Sequence, residues 1–217
     1  MFIKRFFCIA FSAFLILSLF GCTSNNNDSL NSLAAVEIKE YNGEKLGSIN
    51  DFRENSIKGP QNVDIKAYKL IVNGLVETPA SFTYDEVLSN KKYTKVVTLH
   101  CVEGWDVKIL WEGILLRDIF NNLKVESAAN TVIFHSVDGY TTSLPLKTIL
   151  DKNMILAYKM NGVVLPPESG YPFQLVAEDK LGYKWAKWIE RIELSNDVNY
   201  KGYWEQRGYD NEANANN

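Results

Sequence analysis

The chain has 217 residues, with 26 acidic and 23 basic side chains and a formal net charge of −3. This near balance, without a basic stripe, argues against nucleic acid as a partner. The length is sufficient for one domain with a sizeable core. Internal repeats, a Walker loop, a G-x-G-x-x-G motif and a C-x-x-C-H haem site are all missing from the sequence.

The first 22 residues are typical of an export signal. Lys4 and Arg5 precede an apolar run over 6–20, which has the length of a signal-peptide core and is short for a membrane span. The run ends in "LFGC", which resembles the lipobox of bacterial lipoproteins, where the cysteine is lipidated and becomes the first mature residue. Residues 1–22 are therefore predicted to be a lipoprotein signal peptide with Cys22 as the lipidation site. The alternative is an uncleaved N-terminal anchor.

Either alternative attaches an exported domain to a membrane. We expect a bacterial lipoprotein on the outer face of the cell membrane, or on its periplasmic face, with a lipid anchor as the membrane contact. Residues 23–50 are predicted to form a polar tether, because "TSNNNDSLNS" is too rich in Asn and Ser to build a core. Residues 51–210 form the predicted domain, and 211–217 a polar tail that need not be ordered.

The first half of the domain combines strands with short helices. "IKAYKLIVNGLVE" alternates apolar and polar residues and predicts a hairpin that turns at Asn73-Gly74. Thr83 and Glu86 have capping-box spacing, which predicts a short helix. "TKVVTLHCV" is a predicted strand that carries Cys101 at its end. "LLRDIFNNL" has helical apolar spacing.

The second half predicts further hairpins. "NTVIFHSVDGYTTSLPL" is expected to turn at Asp138-Gly139, and "MILAYKMNGVVL" at Asn161-Gly162. "PPESGYP" is a predicted irregular loop, and "FQLVAED" and "AKWIERIELS" are predicted strands. Hairpins with a few short helices indicate an α+β fold with mostly antiparallel or mixed sheets.

The cysteine count leaves one thiol in the predicted mature chain. Cys8 lies in the signal and Cys22 is the lipid site, so that Cys101 has no partner for an intrachain disulfide. A leftover cysteine in an exported protein is reactive, metal-ligating or intermolecular. The competing interpretation is a buried cysteine acting as a small hydrophobe, and the count alone favours it.

Several stretches together resemble a known family. "HCVEGW" is followed by "WEGILLRDIF", "DGYTTSLPL", "LAYKMNGVVLPPESGYPFQLV", "GYKWAKWIERIEL" and "GYWEQRGY". In this order they resemble the molybdenum-cofactor domain of the sulfite oxidase family, over about Phe52 to Tyr209. The resemblance implies a sulfite-oxidase-type fold, a Mo-molybdopterin cofactor, and Cys101 as a catalytic thiolate bound to molybdenum. A thiolate is the metal-binding form of cysteine and suits a thiophilic metal.

The resemblance implies further cofactor contacts. Asn55 matches an asparagine that touches the pterin, and Ser136 falls where relatives place a hydroxyl near the cofactor. Lys187 matches a lysine that holds the pterin phosphate, helped by backbone groups of Trp185 and Ala186. The alternatives are an ordinary loop asparagine, a solvent-facing serine and a solvated lysine.

Two positions depart from the family pattern. Gln174 stands where an arginine is expected, and Ser169 stands where relatives have Asn or His. Both are candidates for the substrate mouth. Because glutamine lacks the permanent charge of arginine, the sequence favours a neutral S-oxide or N-oxide over sulfite.

The leading prediction is a membrane-tethered molybdopterin oxidoreductase that transfers an oxygen atom in a two-electron step. Its substrate would be a small-molecule or peptidyl oxo compound, and electrons would come from a separate haem or quinone-linked carrier. One alternative is a cofactor-less binding lipoprotein that keeps the fold, favoured by Gln174 and by a signal without a clear twin-arginine pair. The other is a thiol redox protein, which lacks a resolving cysteine. His100 and His135, the only histidines, are expected to be structural.

Overall fold

The structure, a computed structural model, describes residues 26–215, with side chains in the first helix described from Ser29 onward. The predicted signal peptide 1–22 and its lipidation site Cys22 lie outside these residues. Among the residues described, no helix combines the length and apolar character that a membrane crossing requires.

The helices are short. They are α1 (Asn26–Ala34), α2 (Tyr84–Leu88), α3 (Leu116–Asn121) and α4 (Leu146–Asp151), with 3-10 turns at Ile49–Asp51, Pro167–Ser169, Gly182–Lys184 and Glu205–Arg207. The strands are β1 (Glu40–Tyr41), β2 (Glu44–Lys45), β3 (Leu70–Gly74), β4 (Ala80–Phe82), β5 (Lys92–His100), β6 (Asp106–Leu115), β7 (Thr131–Ser136), β8 (Thr141–Pro145), β9 (Ile155–Met160), β10 (Val163–Val164), β11 (Gln174–Val176) and β12 (Ile189–Ser195).

Two five-stranded sheets form the domain. The first has the order β10-β9-β6-β5, with β11 also paired to β9, and all its pairs are antiparallel. The second has the order β4-β3-β12-β7-β8, in which β3 and β12 are parallel and the other pairs antiparallel. The predicted α+β class with antiparallel and mixed sheets is therefore confirmed.

One hydrophobic core extends through both sheets and packs against the helices. Its largest fully buried side chains include Trp111, Trp188, Phe134 and Phe173. The Trp111 indole is satisfied in the core, because its Nε1 donates to the Val97 carbonyl at 3.2 Å. Cys101, with 8% of its surface exposed, lies at the edge of this core.

Most predicted elements are present in the structure. Thr83 caps α2 with a complete capping box. β5 ends immediately before Cys101, and α3 covers most of the predicted helix. The hairpins that turn at Asp138-Gly139 and at Asn161-Gly162 join β7 to β8 and β9 to β10.

The hairpin turn predicted at Asn73-Gly74 is wrong. Both residues lie inside β3, which pairs with β12 through Asn73↔Glu193 and Gly74↔Leu194. Gly74 has φ of 85°, and an added Cβ would lie 2.1 Å from the Leu194 carbonyl oxygen. The glycine therefore serves close approach to β12 rather than chain reversal.

The predicted tether over 23–50 and the tail over 211–217 differ from the structure. Glu37 and Ile49 are buried against the domain, and α1 together with the β1–β2 hairpin lies within the stretch assigned to the tether. At the other end, Ala213 is 1% exposed and its carbonyl accepts from Leu181 N at 2.8 Å. Polar composition concealed both attachments, because each depends on one or two buried side chains and on backbone hydrogen bonds.

Candidate active site

A tight turn after β5 positions Cys101. The Cys101 amide donates to the Trp105 carbonyl at 2.9 Å, and the Gly104 amide donates to the Cys101 carbonyl at 3.0 Å. Gly104 has φ of 81°, a conformation that favours glycine. This turn joins β5 to β6, so Cys101 stands at the end of a rigid strand pair.

The Cys101 thiol lies between an amide and a carboxylate. Its Sγ is 3.9 Å from Asn55 Nδ2 and 3.9 Å from Glu103 Oε2. Burial raises the pKa of the Cys101 thiol; the Glu103 charge also raises it, whereas Arg53 opposes the rise. The metal-free thiol is therefore protonated at neutral pH, which does not favour a thiol-based nucleophile.

Two cavities meet at Cys101. The larger has a volume of about 630 Å³ and the smaller about 400 Å³. The walls of both include Asn55, Cys101, Gly182, Trp185 and Lys187. Cys101 is therefore reachable from two differently built spaces.

The larger cavity has a wall of mixed polarity that is rich in hydrogen-bonding side chains. Half of its 18 lining residues carry a polar side chain that can hydrogen-bond: Asn31, Asn50, Arg53, Glu54, Asn55, Glu168, Ser169, Gln174 and Lys187. Oε1 of Gln174 and Oε2 of Glu168 are buried there without a hydrogen-bond partner in the described structure. A buried polar atom without a hydrogen bond destabilises the folded protein unless a ligand supplies the missing partner.

The smaller cavity has an aromatic wall. Seven of its 17 lining residues are aromatic: Tyr140, Tyr183, Trp185, Trp188, Tyr203, Trp204 and Tyr209. Two carboxylate residues, Glu103 and Asp138, line it as well. Val102 and Tyr209 keep 47% and 40% of their surface exposed, so apolar groups also extend to the outer surface.

Asn55 and Ser136, two of the predicted cofactor contacts, differ in how they approach the thiol. Asn55 contacts Cys101 directly, as described above. Ser136 is 2% exposed, lines the smaller cavity, and has an Oγ without a described hydrogen-bond partner. The alternative of a solvent-facing serine is wrong for Ser136, whose role as a cofactor contact stays a prediction.

Lys187 is enclosed rather than solvated. Its side chain is 17% exposed, and its Nζ lies 2.8 Å from Glu54 Oε1, 3.1 Å from the Glu168 carbonyl and 4.6 Å from the centre of the Trp188 ring. Burial lowers the pKa of Lys187, although the contact with Glu54 opposes this shift. A phosphate at Lys187 would have to share this ammonium group with Glu54.

The neighbouring backbone is already engaged. Trp185 N donates to the Gly182 carbonyl at 3.0 Å, and Ala186 N donates to the Lys184 carbonyl at 3.1 Å. Trp185 lines both cavities, whereas Ala186 is buried at 1% exposure and is not among the described lining residues. The predicted backbone contacts from Trp185 and Ala186 therefore require rearranged hydrogen bonds.

Ser169 and Gln174 both line the larger cavity with Cys101. They are 8% and 3% exposed, so they belong to its inner wall rather than to an exposed rim. Each histidine contacts a carboxylate, and neither is among the residues that line the two cavities. His100 contacts Asp106 at 2.9 Å, and His135 contacts Glu193 at 3.0 Å.

Several lining residues escaped the sequence analysis. Glu54 and Arg53 precede Asn55 in "FRENS" and line the larger cavity, and Asn31 and Asn50 come from the stretch assigned to the tether. The sequence predicts only a turn at Asp138, yet this residue is 2% exposed and lines the smaller cavity. The available signal was a charged residue within two positions of a predicted contact: Glu54 precedes Asn55, and Asp138 follows Ser136 by two residues.

Comparison with known proteins identifies the class. Residues 57–204 match the sequence model of the oxidoreductase molybdopterin binding domain. The chain is 35% identical over 151 residues to the uncharacterized oxidoreductase YuiH of Bacillus subtilis (strain 168), covering 69% of this chain and 76% of that protein. It is 29% identical over 210 residues to a putative protein-methionine-sulfoxide reductase subunit, YedZ1, of Azospira oryzae, covering 88% and 79%.

A solved structure has the same fold. The sulfane dehydrogenase SoxCD from Paracoccus pantotrophus aligns with a TM-score of 0.61 and 23% identity, over 66% of this chain and 41% of that chain. The chain belongs to the oxidoreductase molybdopterin binding domain family and is a molybdopterin-dependent oxidoreductase of the sulfite oxidase family. The family cofactor is Mo-molybdopterin.

The residues present fit this cofactor. A thiol lies where two cavities meet, and buried polar atoms without partners line both of them: Gln174 Oε1 and Glu168 Oε2 in the larger, and Ser56 Oγ and Ser136 Oγ in the smaller. Among the described residues, no group of three or more His, Cys, Asp or Glu side chains could hold a metal ion. A cofactor that brings its own metal ligands and requires one protein thiolate is compatible with this arrangement.

Proposed function

We propose that the protein is a membrane-tethered reductase that removes an oxygen atom from a neutral S-oxide or N-oxide in a two-electron step, with Cys101 holding molybdenum. When bound, the molybdenum centre supplies the oxygen-atom transfer chemistry. The observation that carries the proposal is the position of Cys101, at a rigid strand end where a polar and an aromatic cavity meet.

We assign the two cavities different tasks. The larger would receive the polar pterin, with Asn55, Ser169 and Gln174 as hydrogen-bonding partners and Lys187 for the phosphate. This gives Ser169 and Gln174 a cofactor role in place of the substrate mouth. The smaller cavity would admit the substrate, because its aromatic side chains suit methyl and sulfur groups.

The charges of the smaller cavity favour a neutral substrate. Glu103 and Asp138 lie on its wall and Lys187 is its only described lysine or arginine, already paired with Glu54. An anion such as sulfite would be repelled by ionised carboxylates at short range. A sulfoxide or amine N-oxide does not incur this cost.

Steady-state kinetics with an artificial electron donor or acceptor test the substrate class. We expect reduction of a small neutral sulfoxide to exceed sulfite oxidation in kcat/KM. Two forms of the sulfoxide, free and within a peptide, would show whether the substrate is small or peptidyl. Dominant sulfite oxidation would contradict the proposal.

The electron donor is proposed to be a separate protein, haem-bearing or quinone-linked, since the sequence has no C-x-x-C-H haem site of its own. The YedZ1 relative is described as a subunit, which supports a partner. A purified membrane fraction supplied with a respiratory substrate should support sulfoxide reduction without an artificial donor. If no respiratory substrate supports it, the result argues against this partner.

Membrane attachment is proposed to occur through a lipid on Cys22. Helix α1 begins four residues later, a distance that an extended chain spans with at most about 14 Å. The domain would therefore lie close to the membrane rather than on a long tether. Cys22→Ala should release the protein or block its processing in membrane fractionation, and unchanged attachment with unchanged processing would count against the lipid.

The alternative of a cofactor-less binding lipoprotein conflicts with the family assignment, although two observations point toward it. It is favoured by Gln174 in the family's arginine position and by the Glu54 carboxylate that occupies Lys187. Metal analysis of protein exported by its own signal separates the two candidates, because only the enzyme contains molybdenum.

A further inference from the structure

The larger cavity is lined on one side by a segment that precedes the matched residues 57–204. The family match begins at residue 57, yet Leu30, Asn31, Asn50 and Arg53 all line this cavity. The N-terminal segment 30–55 therefore forms one wall of this cavity. Its two parts are fastened to the domain in different ways.

The base of the segment is fastened by a buried carboxylate. Glu37 is 8% exposed, and its two oxygens accept hydrogen bonds from Ser48 Oγ at 2.7 Å, Ile49 N at 2.9 Å and Asn161 Nδ2 at 3.1 Å. Asn161 is fully buried and also bonds to Gly47 and Leu110. This arrangement fixes Ile49 in the core and the stretch after it against Cys101.

The described contacts of helix α1 are less buried than those of the base. A hydrogen bond between exposed side chains joins it to the 3-10 turn, from Asn50 Nδ2 to Asn31 Oδ1 at 3.1 Å. Leu30 and Leu33 are only half-buried. A nine-residue helix is marginal alone, so its stability depends on this packing, and a turn at Ala35–Val36 separates it from the fixed base.

We propose that α1 is a cap over the larger cavity, hinged at the turn after Ala34, which opens to admit the pterin cofactor and closes to retain it. The inference depends on the proposed function, because it assigns the larger cavity to the cofactor. The fixed base keeps Asn50 to Asn55 in place while the cap moves, so that cofactor contacts are preserved during opening.

Release of the cofactor from the full-length loaded protein tests the cap. Leu33→Glu and the double variant Leu30→Glu/Leu33→Glu should detach α1. Retained molybdenum and released pterin fluorescence are followed during dialysis. We expect release at least about fivefold faster than in the wild type, the factor expected when roughly half of a buried leucine's contribution is lost.

Two control variants separate the cap from general destabilisation. Ser32→Glu places the same charge on the exposed side of α1, and Leu88→Glu changes another half-buried leucine at the end of a short helix that lines neither described cavity. Both should release cofactor at the wild-type rate. The cap is overturned if Leu33→Glu and Leu30→Glu/Leu33→Glu both release cofactor at the wild-type rate, or if Leu88→Glu releases it as fast as they do. Wild-type protein that contains no molybdenum overturns the proposed function itself.

Discussion

The two cavities that meet at Cys101 differ in origin as well as in chemistry. The larger is walled by polar groups from the N-terminal segment and from the loop around Ser169, and the smaller by aromatic rings, four of which come from Trp188 to Tyr209. Each contains two buried polar atoms without a described partner: Oε1 of Gln174 and Oε2 of Glu168 in the larger, and Oγ of Ser56 and Oγ of Ser136 in the smaller. The difference is the basis of the proposal that one thiol serves a polar cofactor on one side and a less polar substrate on the other.

The largest difference between the cavities is expected from changing Gln174 in the larger and Ser136 in the smaller. Gln174→Leu should release most of the cofactor, because the larger cavity loses its pairing amide. The same change should leave the metal-free protein as stable or stabilise it by about 1–3 kcal/mol, since a buried acceptor without a partner is removed. Molybdenum content and thermal unfolding of the metal-free protein measure both effects.

Ser136→Ala is the matched change in the smaller cavity. If the cavities divide cofactor and substrate as proposed, molybdenum content should fall much less than in Gln174→Leu. Equal cofactor loss in the two variants would show that the cofactor extends through both cavities and would confirm the sequence prediction for Ser136.

Tyr209→Ala tests the aromatic wall. Tyr209 is 40% exposed and packs 5.2 Å from both Tyr183 and Trp204, measured between ring centres. An aromatic contact contributes about 0.5–1.5 kcal/mol beyond burial, so KM for a neutral sulfoxide should rise about tenfold or less. Molybdenum content should not change, and a loss of metal with unaltered KM would place the cofactor here instead.

Glu54→Gln tests the enclosed lysine. Burial raises the pKa of the Glu54 carboxyl, but hydrogen bonds from Lys187 and Ser56 lower it by more, so the net shift is downward. The Glu54 carboxylate is therefore ionised at neutral pH. Removing this charge leaves Lys187 without its anion, and inorganic phosphate should then raise the Tm of the metal-free variant more than that of the wild type. Glu77→Gln, which breaks the exposed pair with Lys124, should show no such gain.

The smallest effect concerns pH. Because burial raises the pKa of the Cys101 thiol, the metal-free protein should react with iodoacetamide more slowly than free cysteine at pH 7. The folded thiol binds its proton more tightly than the unfolded one, so the rate should rise only as pH passes above the ordinary cysteine range of about 8.5. Fast alkylation at pH 7 would instead favour a thiol-based redox role.

Local signals predicted much of the fold. The capping box at Thr83 and the Asp138-Gly139 and Asn161-Gly162 turns are determined by neighbouring residues, and all three are present in the structure. Asn73-Gly74 carries the same local signal but lies in β3, because pairing with β12, far away in sequence, outweighs it. Tertiary pairing of this kind cannot be read from a dipeptide.

The candidate site was also predictable only where local sequence or family resemblance determines it. The position of Cys101 follows from the strand before it, and Asn55 follows from the family resemblance. The contribution of Asn31 and Asn50 could not be predicted, because it depends on the burial of Glu37 and Ile49 in a stretch of polar composition. A single buried carboxylate with three hydrogen bonds fixes that stretch.

The central claim is that Cys101 holds molybdenum where the two cavities meet. The most direct measurement is the molybdenum content per chain of wild type and Cys101→Ser, both exported by the native signal and purified in parallel, with turnover measured on the same samples. The account predicts close to one molybdenum in the wild type, and a large loss of metal with no measurable turnover in a folded Cys101→Ser protein. Full metal content with full turnover in Cys101→Ser would contradict it.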